Sequence, residues 1–134
     1  MLLALLLLAL ASAQELHYAP VTALHADPVV PLPARAAHVT GGWCTDLKAA
    51  VESEWLAVHC YWLEADAMIV VPAMNNLMRM AGYTLSEDVL LPNGLTITQT
   101  WVGEEPGRQP LISFTVQPLP WDVGTTMLVT LSLR

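Results

Sequence analysis

The chain has 134 residues, with twelve acidic residues against five basic ones and a net charge of −7 at neutral pH. This balance repels phosphate backbones and anionic lipid, so it disfavours nucleic-acid binding and attraction to a membrane surface. Only 13% of the residues are charged, which leaves much of the surface to hydroxyl, amide and apolar groups.

Residues 1–13 predict a secretory signal peptide. An apolar run over residues 2–10 is followed by Ala11, Ser12 and Ala13, the small-residue pattern at which signal peptidase cleaves. The run has about half of the roughly 20 apolar residues that a spanning helix needs, so no stable membrane span is expected after cleavage. No Lys or Arg precedes it, so an upstream start and an uncleaved interfacial anchor are the alternatives. We expect a secreted or periplasmic protein.

Residues 14–42 are predicted to be a Pro-rich, extended lead-in to one small domain at residues 43–134. Pro20, Pro28, Pro31 and Pro33 are too closely spaced for a helix, and they lack the N–H donor that a central strand requires. The apolar residues between them indicate that part of the lead-in lies along the domain as an edge strand.

A helix over residues 46–55 and a strand over residues 57–63 are predicted next. Thr45 is a suitable N-cap, and Leu47 and Val51 recur at helical spacing. The strand segment is aromatic and β-branched, which favours a buried strand over a continued helix.

A second helix is predicted from Pro72, where a missing N–H costs nothing at a helix start, to Gly82 as its C-terminal glycine. Met74 and Met78 lie on one face of this helix. Thioethers are soft ligands that suit Cu(I), so a copper site formed by Met74, Met78 and Met80 within the Met68–Met80 cluster is one alternative function. The same spacing is typical of an ordinary core stripe.

After the turn signal at Pro92, Asn93 and Gly94, three segments alternate apolar and polar residues down to the C-terminus. Such segments with short links predict an antiparallel meander with one apolar face. The expected fold is therefore a small α+β domain, in which two helices pack on one face of a mainly antiparallel sheet of four or five strands that ends in a three-stranded meander.

Cys44 and Cys60 are the only cysteines, and in an exported protein such a pair favours a disulfide. One continuous helix would hold the two residues about 24 Å apart, whereas a helix followed by a returning strand brings them together. A metal site using both cysteines and His59, with His38 as a further candidate ligand, is disfavoured, because His59 and Cys60 point to opposite faces of a strand. The four histidines form no recognisable constellation, and no cofactor is indicated.

The chain contains no recognisable catalytic motif, so an enzyme is not expected. A small hydrolase using Glu64 and Asp66 as a carboxylate pair is the remaining enzymatic alternative, although the same residues also mark a strand that leaves the core.

Trp43 and Trp121 fall in predicted loops, whereas Trp55, Trp62 and Trp101 fall at core-facing positions. Loop tryptophans anchor protein interfaces and sugar platforms, and they also plug the open ends of small sheets. The working hypothesis is a non-enzymatic binding or structural protein of the cell envelope or exterior, with a protein or glycan ligand held by Trp43 and Trp121. The sequence does not fix the oligomeric state.

Overall fold

The computed structural model describes residues 15–24, 30–54, 56–103, 111–119 and 122–133. Within these ranges, seven antiparallel strands form one sheet and two helices pack on it. The predicted signal peptide lies outside the described residues, as do Trp55 and Trp121. In chain order the elements are β1 (Leu16–Ala23), β2 (Pro31–Gly41), α1 (Gly42–Val51), β3 (Leu56–Leu63), α2 (Ala67–Met80), β4 (Tyr83–Leu90), β5 (Ile97–Gly103), β6 (Leu111–Pro118) and β7 (Thr126–Leu133).

The strand order across the sheet is β1-β2-β3-β7-β6-β5-β4, so the last strand in sequence lies at the centre. The sheet has seven strands where four or five were expected: the Pro-rich segment, in which one edge strand was expected, supplies both β1 and β2, and β4 lies between α2 and the predicted turn at residues 92–94. Pro20 lies in the edge strand β1, and Glu87 and Asp88 lie in the other edge strand, β4. Proline and charged residues at edges oppose pairing with further strands.

The two helices pack on opposite faces of the sheet, so the expectation that both cover one face is wrong. Met127, Val129 and Leu131 of β7 belong to the hydrophobic cluster under α1, whereas Leu128 belongs to the cluster under α2. The alternation predicted which side chains share a face within one strand, but the apolar residues of β6 and β7 lie on opposite faces of the sheet, and the hydroxyl-bearing face of β7 is buried instead of solvated. Threonine is compatible with burial where its hydroxyl is bonded, and Thr126 Oγ1 donates to the Ala65 carbonyl at 2.6 Å.

Helix α1 begins at Gly42, four residues before the predicted start, and no side chain caps it. The chain leaves β2 at Gly41 with φ 83° and ψ −178°, a backbone region that is essentially restricted to glycine. The reversal therefore takes place at Gly41 and not at Thr45. As a consequence Trp43 lies in the first turn of α1 instead of in a loop.

Helix α2 begins at Ala67 and has Pro72 in its interior, not at its first position as predicted. The carbonyl of Asp66 accepts the backbone N–H groups of Ile69 and Val70, each at 2.9 Å, and so starts the helix earlier. The additional turn buries Val70 completely. Burial of that side chain offsets part of the cost of the hydrogen bond that proline cannot make. Gly82 follows the helix with φ 93°, in the C-terminal position predicted for it.

Gln99 joins α2 to the sheet through a buried polar network. Its Nε2 donates to Asn75 Oδ1 at 2.9 Å, and its Oε1 accepts from Trp101 Nε1 at 3.2 Å. Trp101 is fully buried, as predicted, and its only polar side-chain atom is thereby satisfied.

The predicted disulfide between Cys44 and Cys60 is present and fully buried in the cluster under α1. It joins the first turn of α1 to the middle of β3, the returning strand that the bridge requires.

Candidate ligand-binding groove

An open groove lies where β1, β2 and β3 are adjacent on the α1 face of the sheet. Pro20, Ala37 and Trp62 are directly opposite one another in the β1, β2 and β3 registers. Because Ala37 and Pro20 are small and Trp62 is large, the row is low beside the Trp62 ring. The groove thus results from the sizes of the side chains that the three strands place opposite one another.

The groove has a volume of about 790 Å³, within the range of roughly 300–1,000 Å³ that is usual for small-molecule sites. No residue of α1 lines it. We call it the β1–β3 groove; it is lined by Tyr18, Pro20, Val21, Thr22, Leu32, Ala34, Arg35, Ala36, Ala37, Trp62 and Asp122.

Two aromatic rings, those of Tyr18 and Trp62, form its most distinctive feature. Their centroids are 6.3 Å apart and their planes are 76° apart, an edge-to-face arrangement that suits the charge distribution of aromatic rings. Tyr18 is about half exposed and Trp62 is partly buried. The two rings therefore present perpendicular apolar surfaces that a ligand can reach.

Asp122 lies beside the Trp62 ring. Trp62 Nε1 donates to Asp122 Oδ2 at 3.4 Å, which connects β3 to the turn before β7. This turn is closed by backbone bonds between Leu119 and Thr125 and between Asp122 and Leu119. The carboxylate is thus held at the groove by both the ring and the turn.

Arg35 and Glu64 add a charged pair at the groove. Arg35 Nη1 lies 3.1 Å from Glu64 Oε2, and the two side chains are 80% and 49% exposed. An ion pair this exposed contributes little to stability. Its significance is that it leaves further guanidinium donors of Arg35 accessible from the groove.

Trp43, one of the two tryptophans predicted to bind a ligand, is only 4% exposed and belongs to the cluster under α1. Together with Tyr18 and Trp62 it borders a void of only about 10 Å³. Trp43 therefore packs behind the two groove aromatics and is almost completely buried. The other predicted residue, Trp121, lies outside the described residues.

Sequence reasoning missed both groove aromatics, since Trp62 was assigned to the core and Tyr18 to the lead-in. A signal for Trp62 was available, because it is the last residue of its face before β3 ends at Leu63. No comparable signal existed for Tyr18, whose position depends on the pairing of β1 with β2.

The methionines of the copper alternative are not brought to one open site. Met74 and Met78 are buried under α2, at 1% and 0% exposure, whereas Met80 is 84% exposed. The helix places Met80 away from the buried stripe that the other two occupy.

The structure does bring two histidines together, which the sequence did not indicate. His38 Nε2 and His59 Nδ1 are 3.4 Å apart, and both rings lie near Tyr61. His38 pairs with Tyr61 across β2 and β3, so His59 is its diagonal neighbour. Across the described ranges, no group of three or more His, Cys, Asp or Glu residues is placed to hold a metal ion.

Glu64 and Asp66, the carboxylates of the hydrolase alternative, have different local roles. The Glu64 carboxylate pairs with Arg35, whereas Asp66 precedes α2 and it is its backbone carbonyl that accepts the N–H groups of Ile69 and Val70. Glu64 thus belongs to the charged pair at the groove.

Comparison of the chain with protein-family models, with curated proteins and with solved structures finds no match. Neither helix in the described part of the chain combines the length and apolar character needed to cross a membrane.

Proposed function

We propose that this is a secreted or periplasmic, non-enzymatic binding protein that holds its ligand in the β1–β3 groove. The observation that carries the proposal is the edge-to-face pair of Tyr18 and Trp62 in an open groove above a small alanine. Accessible aromatic rings supply a large apolar contact area at low conformational entropy cost, and few polar groups are needed to orient a ligand on them.

The polar groups at the groove support binding more than catalysis. Asp122 accepts a hydrogen bond from Trp62, and Arg35 pairs with Glu64. Each is a hydrogen-bonding group held in place by a neighbour. A nucleophile with an adjacent base is the arrangement that covalent hydrolysis uses, and these contacts do not resemble it.

The disulfide supports the proposed location. Disulfides form and persist in oxidising compartments, and the bond between Cys44 and Cys60 is compatible with an extracytoplasmic protein. The predicted signal peptide at residues 1–13 is consistent with the same location.

Amide and indole NMR spectra test the groove while the identity of the ligand is still open. Methyl glycosides and N-acetylproline amide, added as fragments, should shift the indole N–H of Trp62, which the Trp62→Phe variant identifies. The indole N–H of Trp101 should stay in place, because that ring is buried and bonded to Gln99. Fragment responses confined to residues outside the groove, or no response at millimolar concentration, would contradict the proposal.

A further inference from the structure

We infer that the ligand of the β1–β3 groove is a neutral glycan chain and not a peptide. The inference rests on the proposed function, since it concerns the same groove. It follows from the residues that line the groove, which combine flat aromatic rings with a hydrogen-bond acceptor, Asp122, and a donor, Arg35. A pyranose ring has the complementary chemistry: an apolar face of C–H groups and a rim of hydroxyls that both donate and accept.

The aromatic pair fits such a ring. With planes 76° apart, the rings of Tyr18 and Trp62 offer two apolar surfaces that are nearly perpendicular to each other. A sugar ring stacks on one surface while its edge meets the other. The groove volume of about 790 Å³ has room for several linked sugar rings, and its open form allows a chain to enter and leave.

Asp122 argues against a proline-rich peptide, the peptide class that docks in aromatic grooves. Such grooves bind the peptide through its backbone carbonyls, which accept hydrogen bonds. Here the indole N–H of Trp62 is directed at Asp122, so that donor is engaged. Beyond the indole N–H of Trp62, the carboxylate would find no donor on the proline residues of such a ligand, and covering a charge that lacks further hydrogen bonds is costly. Sugar hydroxyls supply the missing donors.

The edge of the sheet argues against an added peptide strand. Addition of a peptide strand needs a row of free backbone N–H and C=O groups along the edge of the sheet. The edge strand β1 contains Pro20, and proline has no N–H to offer. Pro20 also lines the groove, so the interruption lies at the groove itself.

The charges indicate a neutral glycan over an anionic one. Asp122 lines the groove, the Arg35 guanidinium there is already paired with Glu64, and the chain as a whole has a net charge of −7. A uronate or phosphate group would be repelled by this field. The Arg35 guanidinium has five N–H donors, and those that Glu64 does not use are available to hydroxyl and ring oxygens.

Isothermal titration of the full mature chain tests the inference with defined probes: cellohexaose, chitohexaose and maltohexaose as neutral glycans, hexagalacturonate as an anionic one, and octaproline as a peptide. We expect at least one neutral hexasaccharide to bind and hexagalacturonate and octaproline to fail. Trp62→Ala should weaken glycan binding by about tenfold or more, because a stacking tryptophan is the usual anchor of a binding site. Val123→Ala is the matched control, since Val123 follows Asp122, is 95% exposed and does not line the groove.

Asp122→Asn separates the two ligand classes. Removal of the charge should weaken glycan binding several-fold through loss of charge-assisted hydrogen bonds, whereas it should improve binding of octaproline. Octaproline bound in a Trp62-dependent manner, with no response to any glycan, would overturn the glycan inference and leave the proposed function intact. Glycan binding that Trp62→Ala leaves unchanged would overturn the inference, and failure of every probe would overturn the proposed function with it.

Discussion

Cys44 in the first turn of α1 and Cys60 in the middle of β3 form a disulfide, with their Cα atoms 6.4 Å apart. The bridge holds the start of α1 against the centre of the sheet, one residue from Trp43. Trp43 in turn packs behind Tyr18 and Trp62. The bond therefore supports the wall of the β1–β3 groove as well as the fold.

Removal of this disulfide should destabilise the protein. For the Cys44→Ala/Cys60→Ala double variant we expect a loss of about 3 kcal/mol in the free energy of unfolding, since the bond closes a short loop. Urea denaturation followed by circular dichroism measures the change. Dithiothreitol should lower the urea midpoint of the wild type and leave the midpoint of the double variant unchanged. Equal midpoints for oxidised and reduced wild type would contradict the prediction.

Export should be visible in the mass of the mature protein. Expressed in a bacterium with its first 13 residues, the chain should be recovered from the periplasm with Gln14 as its first residue. Both cysteines should resist alkylation until a reductant is added, because the bond forms in the oxidising compartment. A full-length product in the cytosol with two alkylated cysteines would rule out the proposed location.

The variants Trp43→Ala and Trp62→Ala should lose different amounts of stability. Trp43→Ala removes a side chain that is 4% exposed and should cost about 3–5 kcal/mol of stability. Trp62→Ala removes a partly buried ring at the groove and should cost about 1 kcal/mol. Thermal unfolding of both variants at one scan rate makes the comparison. If Trp43→Ala left the melting temperature unchanged, its ring would not be a core residue.

Met74 and Met80 of α2 allow the same comparison between a buried and an exposed side chain within one helix. Met74→Ala should cost about 2–5 kcal/mol, because Met74 is 1% exposed under the helix. Met80→Ala should stay within about 0.5 kcal/mol, because Met80 is 84% exposed. Denaturation in a strong Cu(I) chelator provides the control. A Met74 effect that vanished in the chelator would favour the copper alternative over a core position.

The sequence predicted those features that depend on nearby residues. The aromatic run at residues 57–63 indicated β3, and the spacing of Cys44 and Cys60 required a helix followed by a returning strand. The helix starts were misplaced because the local signals at Thr45 and Pro72 competed with Gly41 and Asp66, whose backbones decide where each helix begins.

The groove could not be predicted from local signals. Tyr18 and Trp62 are brought together only because β2 lies between β1 and β3 in one particular register. A shift of one residue in either pairing would turn one aromatic ring to the other face of the sheet. Sequence alternation gives the faces of each strand, but it does not give the register between strands that are distant in the chain.

Gly41 lies at the end of β2, directly opposite Leu16 at the start of β1, which leads to the last prediction. A Cβ atom at Gly41 would lie 2.8 Å from the backbone oxygen of Glu15, next to β1, and the residue has φ 83°. Gly124 has the same φ of 83°, but a Cβ atom there would meet nothing within 4 Å. Gly124→Ala should therefore cost about 1–2 kcal/mol from the backbone conformation alone.

Gly41→Ala should cost more than Gly124→Ala, because the clash forces β1 away from β2 in addition to the backbone strain. Urea denaturation gives the two stabilities. Amide hydrogen exchange should also show faster exchange in β1 for Gly41→Ala and unchanged exchange there for Gly124→Ala. Since Tyr18 is carried by β1, the Gly41 variant should lose ligand binding even where it stays folded. Equal costs and equal exchange in the two variants would show that the contact between Gly41 and Glu15 does not hold the groove together.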